Sequence, residues 1–412
     1  MTMPIHPPGQ PDHRWPTVHP DLALHLQNVA DNCTACKLCV RECRFLQQHG
    51  TPKELALAYD PRKPAHLQMP FSCSLCRLCR AVCPVGLKPG SLFLRMRREA
   101  IRRGFAEKTG QCGVIRYEKR GVSKRYTFYG LPSGCDTVFF PGCSLPGSRP
   151  SRILHVLKHL QGQIPNLGVV LDCCTKPSHD MGNHAVFHAF FQEMTDYLID
   201  QGIKTILVVC PNCYKVFEKY GGPLKVETIY QTLAAHPCTI HPRVEGTVTV
   251  HDPCVARENS DMHQGIRRLA EAAGLTVEEM RYHGRKTLCC GEGGAVSCVD
   301  RDLAQSWPRR RATEANGRPL LAYCGGCVDY LNPHTPTFHI LDLLCDPAQA
   351  LAGRAKIARA PFTYLNRLLL KRQLKKMFRQ ARTRERTFFP ARLYRNPPDN
   401  NPPSPVDIDQ TI

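Results

Sequence analysis

The chain has 412 residues, a formal net charge of +20 and 23 cysteines. Hydrophobic residues make up 42 % of it, enough to form buried cores, so the composition excludes a wholly disordered protein. No run of 18 apolar residues predicts a membrane-spanning helix, and the start of the sequence lacks the apolar segment of a secretory signal.

The cysteine content and the location of the basic residues narrow the class of protein. Without an export signal we expect a cytoplasmic protein whose cysteines are mostly metal-binding thiolates rather than disulfides. Residues 351–396 hold 14 Lys or Arg and one acid, Glu385, so most of the net charge lies near the C-terminal end. Charge confined to one segment does not indicate a nucleic-acid-binding surface, and we predict no nucleic-acid partner.

Composition and hydrophobic pattern change along the chain and predict six segments. A Pro- and His-rich start is typical of a disordered tail, paired cysteine runs lie in a helical, turn-rich region, and alternating strands and helices follow. The predicted segments are a disordered N-terminal tail (1–20), a helical cysteine-rich domain (21–105), a connector (106–135), two α/β modules (136–240 and 241–350), and a basic amphipathic helix with a disordered tail (351–412).

Cysteines of the helical domain form two runs with the same spacing, C-x2-C-x2-C-x3-C. The first three thiolates of a run can bind three irons of one cubane, while the fourth is carried away by the chain and caps the other cubane. We therefore predict two [4Fe-4S] cubanes, one bound by Cys33, Cys36, Cys39 and Cys83 and one bound by Cys73, Cys76, Cys79 and Cys43. Zinc is the alternative, although it typically binds two separated C-x2-C pairs. The runs resemble those of two-cluster bacterial ferredoxins, except that Arg44 follows Cys43 where Pro84 follows the second run.

Strand and helix patterns alternate between residues 136 and 345, which predicts an α/β architecture with mainly parallel sheets. The predicted strands are 137–140, 168–171, 205–209, 247–250, 287–288 and 320–323. The predicted helices are 152–160, 184–200, 263–273 and 300–315. Cysteines recur in this region at offsets of 111, 116 and 114 residues, from Cys143 to Cys254, from Cys173 to Cys289 and from Cys210 to Cys324. A shared offset indicates a duplicated unit.

Each duplicated unit carries five cysteines, including an adjacent pair. Module one has Cys143, Cys173, Cys174, Cys210 and Cys213, and module two has Cys254, Cys289, Cys290, Cys324 and Cys327. The key cysteines follow predicted strands, at the sheet edge where open α/β folds bind ligands. Five thiolates exceed what one cubane needs, so we predict an open, non-cubane cluster with bridging thiolates in each module. A redox dithiol, a zinc site or an ordinary cubane is the alternative.

These modules resemble the cysteine-rich CCG domain of heterodisulfide reductases. Together with the ferredoxin-type domain, over residues 30–345, they resemble the catalytic iron–sulfur subunit of heterodisulfide reductase and the iron–sulfur subunits of anaerobic glycerol-3-phosphate dehydrogenase and glycolate oxidase. The resemblance implies an oxidoreductase acting on sulfur groups, in which a disulfide bound between two non-cubane [4Fe-4S] clusters is cleaved. It also implies that all ten module cysteines are cluster ligands at the catalytic site. Module one departs from the pattern with Thr175 where module two has Gly291.

Two functional hypotheses follow from this resemblance. In the first, electrons from a partner cross the two cubanes and reduce a disulfide or thiol substrate at the module clusters. In the second, the chain is an electron-transfer subunit that links a flavin dehydrogenase to membrane quinone. No dinucleotide-binding fingerprint is present, so a flavin or NAD would belong to the partner, a flavoprotein or a membrane cytochrome or quinone subunit.

Several residues outside the motifs carry further expectations. His179 and His251 lie near predicted ligands and are candidate proton donors to a leaving thiolate. Five cysteines fit no motif and are expected to be buried free thiols, namely Cys112, Cys135, Cys238, Cys298 and Cys345.

Residues 361–384 predict a basic amphipathic helix. Its apolar stripe is predicted to consist of Leu365, Leu368, Leu369, Met377 and Phe378, surrounded by the basic residues Arg367, Lys371, Lys375, Lys376, Arg379 and Arg382. Such a helix is typical of a segment that lies on an anionic membrane surface, here the inner face, or that docks a partner subunit.

Overall fold

The computed structural model describes residues 17–105, 112–236 and 243–390. The N-terminal region consists of short helices: α1 (Pro20–Asn32), α2 (Leu38–Glu42), α3 (Arg44–His49), α4 (Pro52–Ala58), α5 (Pro64–Gln68), α6 (Leu78–Ala81) and α7 (Pro89–Ala100). Leu22, Leu26, Phe45 and Phe93 belong to one apolar core shared by α1, α3 and α7. This core supports the cysteine-bearing loops between the helices.

The first α/β module contains a mainly parallel sheet flanked by helices. Its strands are β1 (Phe128–Leu131), β2 (Thr137–Phe140), β3 (Gly168–Leu171), β4 (Thr205–Val208) and β5 (Lys225–Thr228). Its helices are α8 (Gly113–Gly121), α9 (Leu145–Ser148), α10 (Pro150–Gln163), α11 (Lys176–Asp180), α12 (His184–Asp200), α13 (Pro211–Tyr220) and α14 (Ile229–Ala235). The strands lie in the order β1-β3-β2-β4-β5, with β1 antiparallel to β3 and the others parallel. Helices cover both faces, so the central strands are almost wholly buried and apolar.

The second module repeats this topology. Its strands are β6 (Gly246–His251), β7 (Leu275–Val277), β8 (Leu320–Ala322) and β9 (Thr337–His339). Its helices are α15 (Ser260–Ala272), α16 (Arg301–Ala315), α17 (Gly325–Leu331), α18 (Ile340–Cys345) and α19 (Pro347–Leu351). The all-parallel order β7-β6-β8-β9 matches the order β3-β2-β4-β5 of the first module. The duplication predicted from the cysteine offsets is therefore present in the fold.

Most predicted elements of the modules match observed ones, but the strand predicted at 287–288 is wrong. The segment follows a 3₁₀ turn, Gly284–Lys286, and is held by side chains instead of a strand ladder. Thr287 Oγ1 donates to the Asp252 carbonyl at 2.8 Å, and the Asp252 carboxylate accepts from the Gly284 amide at 2.7 Å. The second strand of this module is β7, which the hydrophobic pattern did not predict.

The predicted limits of the connector and of the N-terminal tail also need correction. Residues 112–135 of the predicted connector contain α8 and β1, so much of it belongs to the first module; residues 106–111 lie outside the described part of the chain. Residues 17–20 enter the fold, since His19 Nδ1 accepts from the Asp21 amide and caps α1. The rest of the predicted tail, residues 1–16, lies outside the described residues.

The C-terminal segment folds back onto module one as α20 (Phe362–Met377) and β10 (Arg382–Arg384). Strand β10 pairs antiparallel with β1 and so extends the first sheet. The helix therefore ends before residue 384, and the predicted tail from residue 391 lies outside the described chain. Arg386, just after β10, is buried and donates to the Asp172 carboxylate at 2.8 Å and to the Phe190 carbonyl at 3.1 Å. Because both side chains are buried, displacing the segment would leave the Asp172 carboxylate without its partner, and this cost holds the segment in place.

The predicted apolar stripe of the C-terminal helix is only partly correct. Phe378 is buried as predicted, together with Leu370 and Leu374, whereas Leu365, Leu369 and Met377 are exposed. Two predicted surface cations, Arg367 and Lys371, face inward. Lys371 Nζ donates a hydrogen bond to the Lys124 carbonyl at 2.7 Å, and its charge is balanced by the Glu385 carboxylate.

The prediction that Cys112 and Cys298 are free thiols is wrong. Cys112 and Cys298, 186 residues apart in sequence, form a disulfide between the start of α8 and the 3₁₀ turn Gly293–Cys298 of module two. Cys135 and Cys345 are buried thiols, as expected. Cys238 lies outside the described residues.

Candidate metal centres

The two cysteine runs of the helical domain adopt the same backbone conformation. Ala35 and Lys37 in the first run have positive φ angles of 52° and 61°, and Leu75 and Arg77 in the second have 52° and 60°. Left-handed residues at these matching positions curl each loop around one point. The first three cysteines of each run therefore converge.

Cysteines of the two runs interact in the two predicted sets. The sulfurs that act electrostatically on Cys39 are those of Cys33, Cys36 and Cys83, and burial with these neighbours raises the pKa of Cys39 to about 11. Cys43 lies near Cys73 and Cys76, and burial raises its pKa above the usual range. Cys79 is influenced by Cys73, Cys76 and Cys43, and least by Cys39 of the other set. Each run thus contributes its fourth cysteine to the other set.

In module one the five cysteines form one continuous chain of thiol contacts. Cys143 lies beside Cys173, and Cys173 beside its neighbour Cys174. Cys174 lies in turn beside Cys213, and Cys213 beside Cys210. Contacts with Cys173 and Cys213 lower the pKa of Cys174 to about 6.

Module two repeats this chain of contacts. Cys254 interacts with Cys289, Cys289 with Cys290, Cys290 with Cys327, and Cys327 with Cys324. The sulfurs lie in the same order as their counterparts in module one. The duplicated fold therefore gathers two equivalent groups of five thiols.

Two further contacts join the separate sulfur groups. Cys76 of the helical domain packs with Cys289 of module two in one buried cluster, and this neighbour lowers the pKa of Cys76 to about 6. Cys210 of module one lies beside Cys324 of module two. The amide of Asn212 also approaches Cys324 Sγ at 3.7 Å. The second cysteine set, module two and module one therefore form a continuous series, in that order.

The donor sets fit iron–sulfur clusters better than mononuclear metal sites. The helical domain gathers two groups of four thiols, the number that ligates a cubane. Each module gathers five thiols in a row, one more than a tetrahedral zinc ion accepts. Seven of the ten module cysteines are buried, and the partly exposed ones are Cys143, Cys210 and Cys254.

A buried arginine that no sequence motif marks joins the three domains. Arg97 on α7 is fully buried and donates to the carbonyls of Cys73 at 2.6 Å, Asp180 at 2.6 Å and Gly294 at 2.8 Å. These acceptors belong to the helical domain, module one and module two respectively. Burial lowers the pKa of Arg97 to about 10, which still leaves it charged at neutral pH.

A second buried arginine and two glycines bring module two onto the second cysteine loop. Arg257 Nη2 donates to the Cys76 carbonyl at 3.0 Å and to the Thr287 carbonyl at 2.8 Å. A Cβ atom at Gly293 would lie 2.6 Å from the Ser74 oxygen, and one at Gly294 would lie 2.6 Å from the Cys73 oxygen. The absence of side chains at both positions permits this close approach.

The two predicted histidines occupy different environments. His251 lies with Cys290 and Cys327, its ring nitrogen and their sulfurs within 4.8 Å of one another. Arg311 Nε donates to His251 Nδ1 at 3.1 Å, so Nε2 carries the proton and is available to the sulfurs. His179 is buried between Asp180 and the Tyr220 hydroxyl, at 2.9 Å and 3.0 Å, and burial lowers its pKa to about 4. His179 is therefore neutral at pH 7.

An acidic residue beside the module cysteines was also missed. Glu292 lies two residues after Cys290, and its carboxylate fills the space beside Gly326, where a Cβ would overlap the carboxylate oxygens. Burial, together with the nearby Cys290, raises the pKa of Glu292 to about 8. No pattern in the sequence singles out this glutamate, because its neighbours come from a separate segment.

Comparison with protein families and curated proteins supports the domain content. The family described as 4Fe-4S dicluster domain matches residues 32–88. The family described as cysteine-rich domain, CCG, matches twice, over residues 137–218 and 248–332. These matches coincide with the two cysteine runs and the two modules.

Three curated proteins illustrate the range of relatives. The chain is 26 % identical over 334 residues to one of the subunits of the fumarate reductase (CoM/CoB) of Methanothermobacter marburgensis, covering 72 % of this chain and 66 % of that protein. It is 23 % identical over 279 residues to the EtfAB:quinone oxidoreductase of Syntrophomonas wolfei, covering 59 % of this chain and 38 % of that protein. An uncharacterized iron–sulfur protein of Methanococcus maripaludis is 22 % identical over 378 residues, covering 79 % and 74 %. The chain thus spans just under two thirds of the first relative and well under half of the second.

Domain content and relatives agree on the class of protein. One dicluster domain is followed by two cysteine-rich domains, and the relatives are iron–sulfur proteins with redox names. The chain is therefore an iron–sulfur protein of the electron-transport class, and its domains belong to the 4Fe-4S dicluster and cysteine-rich CCG families.

Proposed function

We propose that this chain passes electrons through two [4Fe-4S] cubanes to non-cubane clusters in the modules and there reduces a disulfide to two thiols. The observation that carries the proposal is the series of sulfur contacts, Cys76 to Cys289 and Cys210 to Cys324. These contacts make a path short enough for electron transfer from the helical domain into both modules. A chain of isolated thiol groups would offer no such path.

Reduction of a disulfide breaks one S–S bond, consumes two electrons and two protons, and yields two thiols. The electrons come from a partner of the flavoprotein, cytochrome or quinone-linked type. When bound, the clusters supply one-electron carriers and iron sites with affinity for sulfur. The protein holds the sulfur ligands, keeps most of them from water, and directs His251 Nε2 toward Cys290 and Cys327.

A second candidate is an electron-transfer subunit that acts between a flavin dehydrogenase and membrane quinone. The name EtfAB:quinone oxidoreductase, borne by one relative, favours it. In that case the module clusters are relay sites without a substrate. The two candidates predict the same iron content and differ in their activity toward disulfides.

The deciding experiment uses anaerobically purified protein with reduced methyl viologen as electron donor. We expect about 16 iron atoms per chain, four at each of four sites, and viologen oxidation on addition of a disulfide. The Cys290→Ala variant should lose disulfide reduction, whereas Cys135→Ala, which removes a buried thiol outside the four sites, should retain it. Full iron content without disulfide reduction would favour the relay function, and about eight irons would contradict both module assignments.

Among the described residues, no helix combines the length and the apolar character needed to cross a bilayer.

We propose, as part of the same function, that α20 binds the surface of an anionic membrane from the cytoplasmic side. Phe362, Leu365 and Leu369 lie on one face of the helix and are 63 %, 52 % and 49 % exposed. Arg372 and Lys376 continue this face with positive charge. Apolar side chains that enter the interface, followed by cations that meet lipid phosphate, are typical of surface-bound helices.

Vesicle sedimentation tests this membrane contact. We expect the protein to bind vesicles containing phosphatidylglycerol, and the Leu365→Glu/Leu369→Glu variant to bind roughly tenfold more weakly, since it loses apolar area and gains repulsion. Leu57→Glu is the matched control, because Leu57 is also 49 % exposed but lies on α4. Equal binding by all three proteins would contradict the proposal.

A further inference from the structure

A tyrosine hydroxyl joins the two modules beside their sulfur groups. Tyr230, on α14 of module one, is fully buried. Its hydroxyl donates to the Val209 carbonyl at 2.6 Å and to the Tyr323 carbonyl at 3.1 Å, so one hydrogen is shared between them. Each of these carbonyls belongs to the residue before a module cysteine, Cys210 or Cys324. The hydroxyl therefore links the two chain segments that carry these neighbouring thiols.

Both carbonyls lie at the ends of central strands, where the cysteines follow. Val209 comes directly after β4 and Tyr323 directly after β8, and each of these strands is paired on both sides. Each strand end is thus held firmly within its own module. The described strands form two separate sheets, so strand pairing does not fix one end against the other. The spacing between Cys210 and Cys324 depends instead on contacts between the modules.

Apolar packing between the modules does not by itself fix this spacing. Ile229 and Leu233 of α14 belong to the same core as Val250 and Ile266 of module two. Hydrophobic contact is non-directional, so a shared core tolerates a small shift of one module against the other. A hydrogen bond requires a particular distance and angle, and the Tyr230 hydroxyl supplies such a contact at the point where the sulfur groups meet.

The duplicated unit has this hydroxyl in only one of its two copies. Thr228, the last residue of β5, and His339, the last residue of β9, occupy equivalent places. Two residues further on, module one has Tyr230 and module two has Leu341. Because leucine has no donor, the bridge is not a consequence of the repeated fold itself.

We infer that the Tyr230 hydroxyl sets the spacing between the sulfur groups of the two modules, and so sets the electronic coupling between the clusters that these groups would hold. For the clusters the inference rests on the proposed function, whereas the bridge rests on the hydrogen bonds alone. Electron exchange and magnetic interaction between clusters both weaken steeply with distance. Tyr230 acts through the backbone that precedes Cys210 and Cys324, so it is a positioning residue.

The Tyr230→Phe variant tests this role with a change of one atom. Phenylalanine keeps the edge-to-face contact with Tyr323, 5.8 Å between ring centroids, but leaves the Val209 and Tyr323 carbonyls without their shared donor. Two buried carbonyls that have lost their donor repel each other, so the sulfur groups should move apart. In the EPR spectrum of the reduced, anaerobic holoprotein, the splitting caused by interaction between the module clusters should narrow or vanish at unchanged iron content.

Hydrogen exchange gives a second readout that does not depend on iron. Backbone amides of residues 205–213 and 320–327 should both exchange faster in Tyr230→Phe, because the two segments lose one common contact. Tyr129→Phe is the matched control: Tyr129 is another fully buried tyrosine of module one, and its hydroxyl donates to the Asp172 carboxylate in the same module. The control should speed exchange within module one, but leave residues 320–327 and the EPR splitting unchanged.

Outcomes for the bridge and for the reaction are separable. Unchanged splitting in Tyr230→Phe at full iron content, or no splitting in the unaltered protein, overturns the positioning role. Unchanged exchange of residues 320–327 overturns it as well. About eight irons per chain would contradict the proposed function, and the exchange of residues 320–327 would then decide alone whether Tyr230 holds the modules in register. Narrowed splitting in a protein that reduces no disulfide would contradict the proposed reaction and leave the positioning role standing.

Discussion

Replacing Arg97 with methionine is expected to loosen the helical domain from both modules. The variant leaves the carbonyls of Cys73, Asp180 and Gly294 without their buried donor. Each unsatisfied buried carbonyl costs about 1–3 kcal/mol, and water entering the gap recovers part of it, so we expect a loss of about 4 kcal/mol. This loss of stability should appear as a lower midpoint of thermal unfolding and as faster proteolysis between the domains.

The matched control for this variant is Arg95→Met on the same helix. Arg95 is also buried, but its guanidinium pairs with Asp21 within the helical domain, with Nε at 2.9 Å from the carboxylate. Loss of this pair should destabilise the helical domain without separating it from the modules. In the Arg97 variant, electron transfer from the helical domain to module two should slow even in molecules that stay folded. Equal proteolysis of the two variants would show that Arg97 does not join the domains.

Gly291→Ala and Thr175→Gly are expected to have opposite consequences, although they occupy equivalent positions after the two cysteine pairs. Gly291 has a φ of 102°, and a Cβ there would lie 2.5 Å from the Ala304 carbonyl oxygen. The strained backbone and the clash together should cost about 3 kcal/mol or more and displace Cys290. Thr175 has a φ of 52°, which glycine adopts without strain, so Thr175→Gly loses only a small buried side chain and should cost about 1–2 kcal/mol.

Iron content and thermal stability of the purified variants measure both effects. The Gly291 variant should lose the iron of module two, whereas the Thr175 variant should keep that of module one. Loss of iron in both variants, or in neither, would contradict the expectation that only the position of Gly291 requires glycine.

The alternation of strands and helices was predictable because apolar periodicity is a local property. The helix at 184–200 and the strands at 137–140 and 168–171 match the observed elements. The strand at 287–288 failed because side-chain hydrogen bonds from Asp252 and Thr287 replace the ladder there. The C-terminal segment was misjudged because Arg367 and Lys371 are charged residues that the fold buries against main-chain carbonyls.

The candidate site, like the fold, was predictable only in part. The spacing of the cysteines predicted which thiols belong to each run and each module, and the described structure brings those sets together. The disulfide of Cys112 with Cys298 was not predicted, because nothing in either local sequence marks the other residue as its partner.

The sequence by itself determined which cysteines are candidate ligands, the duplicated modules and the redox class of this protein, because thiol spacing and strand periodicity are encoded within short segments. Only the tertiary structure decided which sulfur groups lie side by side and which arginine joins the domains. These features join segments that are distant in sequence. Arg97 and Arg257 bind backbone carbonyls, and a carbonyl is the same at every residue, so no side-chain pattern could reveal those contacts.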